Sequence, residues 1–186
     1  MDHRACKLAE LVERYYALVY RYAYRLTGSQ TDAEDVTQQA FLMAQDRWEQ
    51  LRDEEKAKSW LFTIARNAWL KELRGSRDRV SCFLDELPGP PAPAVAEFDD
   101  EQLQSALSAL PEEFRSPVIL FYFHEFSYRE IAATMGVPIG TVMSRLARAK
   151  ALLRQLLTSP VRAVRARPPE TRPALPQLAV PNARTT

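Results

Sequence analysis

Thr141, Ser144, Arg145 and Arg148 recur at three- and four-residue steps, so a helix through them presents all four on one side. Two hydroxyls and two guanidiniums suit a nucleic acid. Hydroxyls bond base edges or phosphates, and a guanidinium fork matches guanine or a pair of phosphate oxygens. A second polar set, Asn67, Lys71 and Arg74, shares one face if residues 59–74 are helical. A third, Asp35, Gln38, Gln39 and Asp46, lies opposite Val36, Ala40, Phe41 and Ala44 on another helical segment. None of these sets joins a nucleophile, a base and an acid, and no phosphate-binding loop occurs. Cys6 and Cys82 are far apart, with no C-x-x-C pattern. His3 and Cys6 are two ligands at most, too few for a metal site. His124 reads as a helix-end or core-edge residue. Catalysis, a metal and a cofactor are therefore not expected.

The first set needs a frame, and residues 127–157 supply one. Ser127 and Glu130 form an S-x-x-E capping box that starts a helix. Ile131, Ala132 and Met135 give it an apolar face, and Gly136 ends it in the left-handed turn conformation. Pro138 marks the next helix start. Val142, Leu146, Ala149, Leu153 and Leu156 form that helix's expected core stripe. From 139 to 157 there are four basic residues (Arg145, Arg148, Lys150, Arg154) and no acid. This is the grammar of a helix-turn-helix whose second helix enters the major groove. The competing reading is an ordinary amphipathic helix pair with a solvated basic face.

Three further helices are expected upstream. Residues 8–27 keep a 3.6-residue rhythm through Leu8, Leu11, Val12, Tyr15, Val19, Tyr22, Ala23 and Leu26, and Gly28 stops them. The tyrosines here read as packing and rim residues. Thr31 or Asp32 caps a second helix that runs to about Trp48. Residues 49–58 form a charged loop, and Ser59 to Arg74 a third helix burying Trp60, Leu61, Ile64, Ala65, Ala68 and Leu73. Gly75 breaks it. The run PGPPAPA from Pro88 to Ala94 excludes a regular helix and favours a spacer. Helices resume near Phe98, with Leu103, Leu107 and Leu110 in one stripe and Pro111 opening the next helix.

The 186 residues carry a net charge of +1, distributed unevenly. Residues 75–101 hold two basic and seven acidic side chains, whereas 158–186 hold five arginines and one acid. That last stretch, with six prolines, is expected to be disordered. No apolar run reaches the ~20 residues of a bilayer span, and MDHRACKLAE lacks a signal-peptide core. A cytoplasmic protein is expected, with no membrane insertion.

The pieces Ala109-Leu110-Pro111, Ser127-Tyr128-Arg129-Glu130-Ile131-Ala132 and Gly140-Thr141-Val142-x-Ser144-Arg145-Leu146-x-Arg148-Ala149 resemble region 4 of the extracytoplasmic-function (ECF) sigma factors of the sigma-70 family. DAEDVTQQAFLMA resembles region 2.2, and WLFTIARNAW resembles regions 2.3 and 2.4. The resemblance covers about residues 8–74 and 101–157. It implies an all-α chain of two small domains: region 2 at 1–74, an acidic Pro-rich linker at 75–98, region 4 at 99–157 and a tail at 158–186. It implies that Asp32, Glu34, Asp35, Gln38 and Gln39 lie at the contact with the β′ clamp coiled coil of core RNA polymerase, with region 4 at the β flap. Thr141, Ser144, Arg145 and Arg148 would read the −35 element, with Arg129 on a phosphate. Asn67, Lys71 and Arg74 would engage the −10 element, and the loop from Asp53 to Lys58 would hold a flipped base. An anti-sigma factor is a further implied partner. Three positions depart from the family pattern. Lys71 stands where many members carry aspartate, Met143 where lysine is common, and Ala147 where histidine is frequent. The first should alter −10 selectivity and the other two weaken the phosphate term.

Two other classes remain open on the residues alone. A conventional repressor or activator would bind a palindrome as a dimer without polymerase. A helical adaptor would use its acidic helix and tolerate loss of Arg145 and Arg148.

Overall fold

The computed structural model describes residues 3–51, 53–76 and 99–158. The expected Pro-rich stretch and nearly all of the expected tail lie outside the described residues. All regular structure in the described part is helical: α1 (His3–Thr27), α2 (Gln30–Asp46), α3 (Ala57–Ser76), α4 (Asp100–Ala109), α5 (Glu112–His124), α6 (Tyr128–Met135) and α7 (Ile139–Thr158), with short 3₁₀ turns at Trp48–Gln50 and Glu54–Lys56.

Helices α1–α3 form the amino-terminal bundle. Leu11, Tyr15, Val19, Tyr22, Ala23 and Leu26 of α1 are buried, as their rhythm requires, while Tyr16 stays exposed and stacks on Phe41. Gly28 closes α1 with φ +71°, its N–H donating to the Tyr24 carbonyl. The cap of α2 is Ser29, whose hydroxyl accepts from Asp32 N–H, rather than Thr31 or Asp32. Any of the three side chains can cap. The turn after Gly28 leaves Ser29 in the extended conformation a cap needs. α2 ends at Asp46, two residues before the expected Trp48.

α3 begins at Ala57, inside the stretch expected as loop, and runs through Gly75 to Ser76. Gly75 therefore does not break it. Glycine weakens a helix interior without forbidding it, and only a left-handed residue makes a glycine stop. Phe62 is fully buried although it lies off the expected inward stripe, and Trp60 and Leu73 are only half-buried. The reason is that α3 packs against α1 and α2 on one side and α6 on another.

The carboxyl-terminal helices are delimited by local chemistry. Asp99 caps α4 by accepting from Gln102 N–H, and Pro111 sits at the cap of α5. α5 ends at His124 and is capped by Glu125, which takes φ +58°, and Phe126 N–H returns to the Leu120 carbonyl. The α7 stripe continues through Val142, Leu146, Ala149 and Leu152, whereas Leu153 is half-buried and Leu156 exposed. Steps of three and four are both helical, and the packing against α4 and α5 selects Leu152.

The two sets of helices share one continuous apolar core. At its centre the Phe62 ring lies 4.9 Å from Tyr22, 4.7 Å from His124 and 5.1 Å from Phe126. Around it runs a polar rim. Arg25 pairs with Asp100 and donates to Gln104 at 3.1 Å. Gln104 donates to the Arg25 carbonyl at 3.3 Å, and Arg115 donates to the Leu26 carbonyl at 2.6 Å and the Leu110 carbonyl at 2.8 Å. The open carbonyls at the end of α1 are thus satisfied by side chains of α4 and α5. Arg66 pairs with Glu112 at 2.9 Å, both largely buried.

His124 is the last residue of α5, as a helix-end role requires, and its ring is buried with neither nitrogen hydrogen-bonded. Burial, and then the Lys58 and Arg21 cations, push its pKa down to about 4. The unfolded chain therefore binds the proton first, at the ordinary value near 6.5. The stabilisation from a neutral His124 is complete above that value and is lost as pH falls from 6.5 toward 4. Going from pH 8 to pH 5 should cost the native chain about 1–2 kcal/mol through this group. Urea titrations of the native chain and of His124→Gln at both pH values check this: the native chain should lose more, and equal losses would refute it.

Candidate nucleic-acid interface

The helix-turn-helix is built by α6 and α7. Ser127 and Glu130 make the full capping box: the Ser127 hydroxyl accepts from Glu130 N–H at 3.3 Å, and the Glu130 carboxylate accepts from Ser127 N–H at 2.8 Å. The Ser127 hydroxyl and amide hold the Glu130 carboxyl below its usual range. Gly136, at φ +66°, ends α6, and Val137 N–H returns to the Ala132 carbonyl at 3.1 Å. The Pro138 carbonyl then accepts from Thr141 and Val142 N–H to open α7. Ser127→Ala should lower the stability of the chain by about 1 kcal/mol, read as a lower urea midpoint with unchanged slope.

Burial of Val142, Leu146 and Ala149 turns the opposite face of α7 outward. Ser144 and Arg148 are exposed, Thr141 and Arg145 half-buried, and Arg129 exposed on α6. The Ser144 hydroxyl donates back to the Thr141 carbonyl at 3.0 Å, and Arg145 pairs with Glu113 at 3.4 Å. Met143 and Ala147 share the outward face, so the two positions expected to lack cations lie beside Ser144 and Arg148. A nucleic acid bound by Arg145 would have to displace Glu113 from it. An exposed pair of this kind is worth about 0–1 kcal/mol. If α7 carries the nucleic-acid contact, Glu113→Gln should therefore tighten binding a few-fold, measured by fluorescence anisotropy on duplex DNA.

Asn67, Lys71 and Arg74 are all exposed on α3. Their neighbour Arg66, in the same motif, turns inward to Glu112. The loop before α3 is ordered by Asp53, which accepts from Glu55 N–H at 3.0 Å and pairs with Lys56 at 3.1 Å. The Lys56 ammonium holds the Asp53 carboxyl below its usual range. Lys58 donates to the His124 carbonyl at 2.8 Å and lies 4.8 Å over the Phe126 ring.

Asp32, Asp35, Gln38 and Gln39 are exposed on α2, and Glu34, half-buried, accepts from Gln30 at 3.2 Å. Gln39 donates to Glu72 of α3 at 2.7 Å. Burial raises the Glu72 pKa, and Asp35 and Asp32 raise it further. Glu72 thus belongs to the same acidic face, which spans two helices and suits a basic partner. Reasoning from the sequence assigned Glu72 no role. It also missed Arg66, Arg115 and Gln104 as contacts between the two helix sets. The available signal for Arg66 was a charge inside the apolar run from Trp60 to Ala68. Arg115 and Gln104 carried none.

Among the described residues no cluster of three or more His, Cys, Asp or Glu is arranged to hold a metal, and no helix is long and apolar enough to cross a membrane.

A helix-turn-helix with an outward polar and cationic face, following a three-helix bundle with polar and acidic faces, defines a two-module helical protein built for nucleic acid and a protein partner. Sigma-70 region 2 matches residues 11–79, and Sigma-70 region 4 matches residues 100–153. The chain is 35% identical over 159 residues to the ECF RNA polymerase sigma factor SigL of Mycobacterium tuberculosis, covering 82% of this chain and 90% of that one. It is 39% identical over 156 residues to the ECF sigma factor SigE of Mycolicibacterium smegmatis, covering 80% of this chain but 60% of that longer relative. Among solved structures, the sigma factor RpoE of Bartonella quintana, crystallised with the anti-sigma factor NepR, aligns with a TM-score of 0.67 at 27% identity, covering 83% of this chain and 99% of that one. The chain belongs to the ECF RNA polymerase sigma factors of the sigma-70 family.

Proposed function

We propose that this chain directs core RNA polymerase to a promoter by placing its two helical modules on separate DNA elements, with the residues assigned as follows. The exposed face of α2, Asp32, Glu34, Asp35, Gln38 and Gln39, docks on a basic surface of core polymerase at the β′ clamp. Asn67, Lys71 and Arg74 of α3 contact the −10 element. Thr141, Ser144, Arg145 and Arg148 of α7 read the −35 element in the major groove, and Arg129 of α6 grips a phosphate. Residues 1–74 and 99–157 serve as the two modules, 75–98 as the connection and 158–186 as an extension. The chain promotes melting by capturing exposed bases. Each opened step costs about 1.4 kcal/mol of stacking, which such capture partly offsets. It performs no phosphodiester chemistry and works in the cytoplasm, where polymerase is. An anti-sigma factor is a fitting regulator, since the RpoE relative was solved with one.

The observation that carries this reading is the occurrence of both modules, in order, each with its polar face exposed. The experiment is to add the purified chain to sigma-free core polymerase and sequence the transcripts from a genomic DNA library. Discrete start sites sharing −35 and −10 motifs are expected. Absence of core binding and of transcripts, with no anti-sigma factor in the preparation, would overturn the proposal.

A further inference from the structure

The outward side of α7 carries two large apolar side chains that neither the core nor the proposed contacts account for. Ile139 is 43% exposed and Met143 is 53% exposed, one helical turn apart at the start of the helix. Ala147 follows after another four residues and is exposed as well. Four-residue steps advance about 40° around a helix, so the three form one slanting stripe about 12 Å long. A Cβ built on Gly140, next to Ile139, meets nothing within 4 Å. The flank of the stripe is therefore open to close approach by another molecule.

The surroundings say what kind of molecule that is. Ser144 lies beside the stripe, with Arg148 one turn further on. Lys150 and Arg154, both exposed, continue the side of the helix on which the stripe lies. No acid occurs between 139 and 157. Hydrocarbon set among hydroxyls and cations matches a surface that is anionic at its edges and carries isolated apolar groups at its centre. The major groove is such a surface. Phosphates border it, and the C5-methyl of thymine is the apolar group on its floor. The groove is about 12 Å wide and admits a helix.

We infer that Ile139 and Met143 read thymine in the −35 element by enclosing its C5-methyl, which makes them specificity-determining residues. The inference rests on the promoter reading above and deepens it. The thioether of Met143 is flexible and polarizable, and it conforms to a methyl as it does to a gap in a core. A lysine at 143 would add a phosphate contact without selecting a base, and methionine does the converse.

The test changes the DNA before the protein. Deoxyuridine lacks only the methyl of thymidine and keeps every hydrogen-bonding atom. Transcripts made by the chain with core polymerase define the −35 motif, which should hold at least one fixed A·T pair; a motif without one overturns the inference. Promoter duplexes are then built with thymine or deoxyuridine in that motif alone. Enclosing one methyl is worth up to about fourfold in affinity. The polymerase-bound native chain should therefore bind the deoxyuridine promoter about two- to fourfold more weakly for each methyl read. Equal affinity for the two promoters overturns the inference and leaves the stripe to a protein partner. In the full chain carrying Ile139→Ser and Met143→Ser, both at exposed positions, the two promoters should bind alike. A preference for thymine that survives these changes places the methyl contact elsewhere and overturns the inference as well. Met143→Lys should steepen the plot of log affinity against log salt by about 0.9, and an unchanged slope counts against a DNA-facing position 143. A native chain that yields no promoter complexes on any template sinks the promoter reading itself, an outcome distinct from the loss of thymine preference.

Discussion

Phe62→Ala should cost the chain about 3–5 kcal/mol of folding stability, the largest loss expected from any single truncation in it. Phe62 is fully buried, and its ring touches the aromatic rings of Tyr22, His124 and Phe126. Three such contacts add to the transfer free energy of the side chain, at about 0.5–1.5 kcal/mol for each well-placed aromatic pair. The neighbours come from α1, from the last residue of α5 and from the turn that follows it. No single element can shift to fill the hole. Phe121 gives the contrast: it is half-buried beside Tyr122 and Tyr128, so its truncation should cost markedly less. Urea unfolding of both variants at pH 8, where His124 is neutral, separates them. A Phe62→Ala loss below about 1 kcal/mol would mean that the aromatic centre is not packed this way in solution.

Arg145→Ala combined with Arg148→Ala should reduce promoter affinity of the polymerase-bound chain on the order of 100-fold. A guanidinium hydrogen-bonded to a base edge or to a phosphate contributes about 1.5–3 kcal/mol as a charge-assisted bond. Their removal should also flatten the plot of log affinity against log salt, by about 0.9 for each of the two that neutralises a phosphate beside the bases it reads. The two residues are unequal. Arg148 is exposed, whereas Arg145 gives up Glu113 on binding, so Arg148→Ala alone should account for more of the loss. Loss of affinity with an unchanged salt slope would point to base contacts instead of phosphates. Unchanged affinity would remove α7 from the interface altogether.

The helix boundaries set by short-range chemistry could be read from the sequence: the capping box at Ser127 and Glu130, and the left-handed glycines Gly28 and Gly136. Their causes lie within four residues of their effects. The exposed faces were legible for the same reason, since burial of Val142, Leu146 and Ala149 fixes where Ser144 and Arg148 point. The cap of α2 was misplaced because Ser29, Thr31 and Asp32 are chemically equivalent candidates, and only the preceding turn chooses. Phe62 was missed because a one-sided amphipathic reading fails for a helix packed on two sides. The union of the two helix sets was not legible at all. Arg66 meets Glu112, and Arg115 meets the Leu26 carbonyl across a sequence separation of 89, and neither pairing has a local signature.

The end of α1 is finished by residues that the ribosome makes much later. At about 5–20 residues per second, Arg115 follows Leu26 by roughly 4–18 seconds. During that interval the last turn of α1 must meet its hydrogen-bonding needs with water, and α1–α3 must hold together on their own packing. The amino-terminal module therefore exists first as a free unit in the growing chain. It becomes joined only when α5 emerges, so every molecule passes once through a state in which the two helix sets are apart.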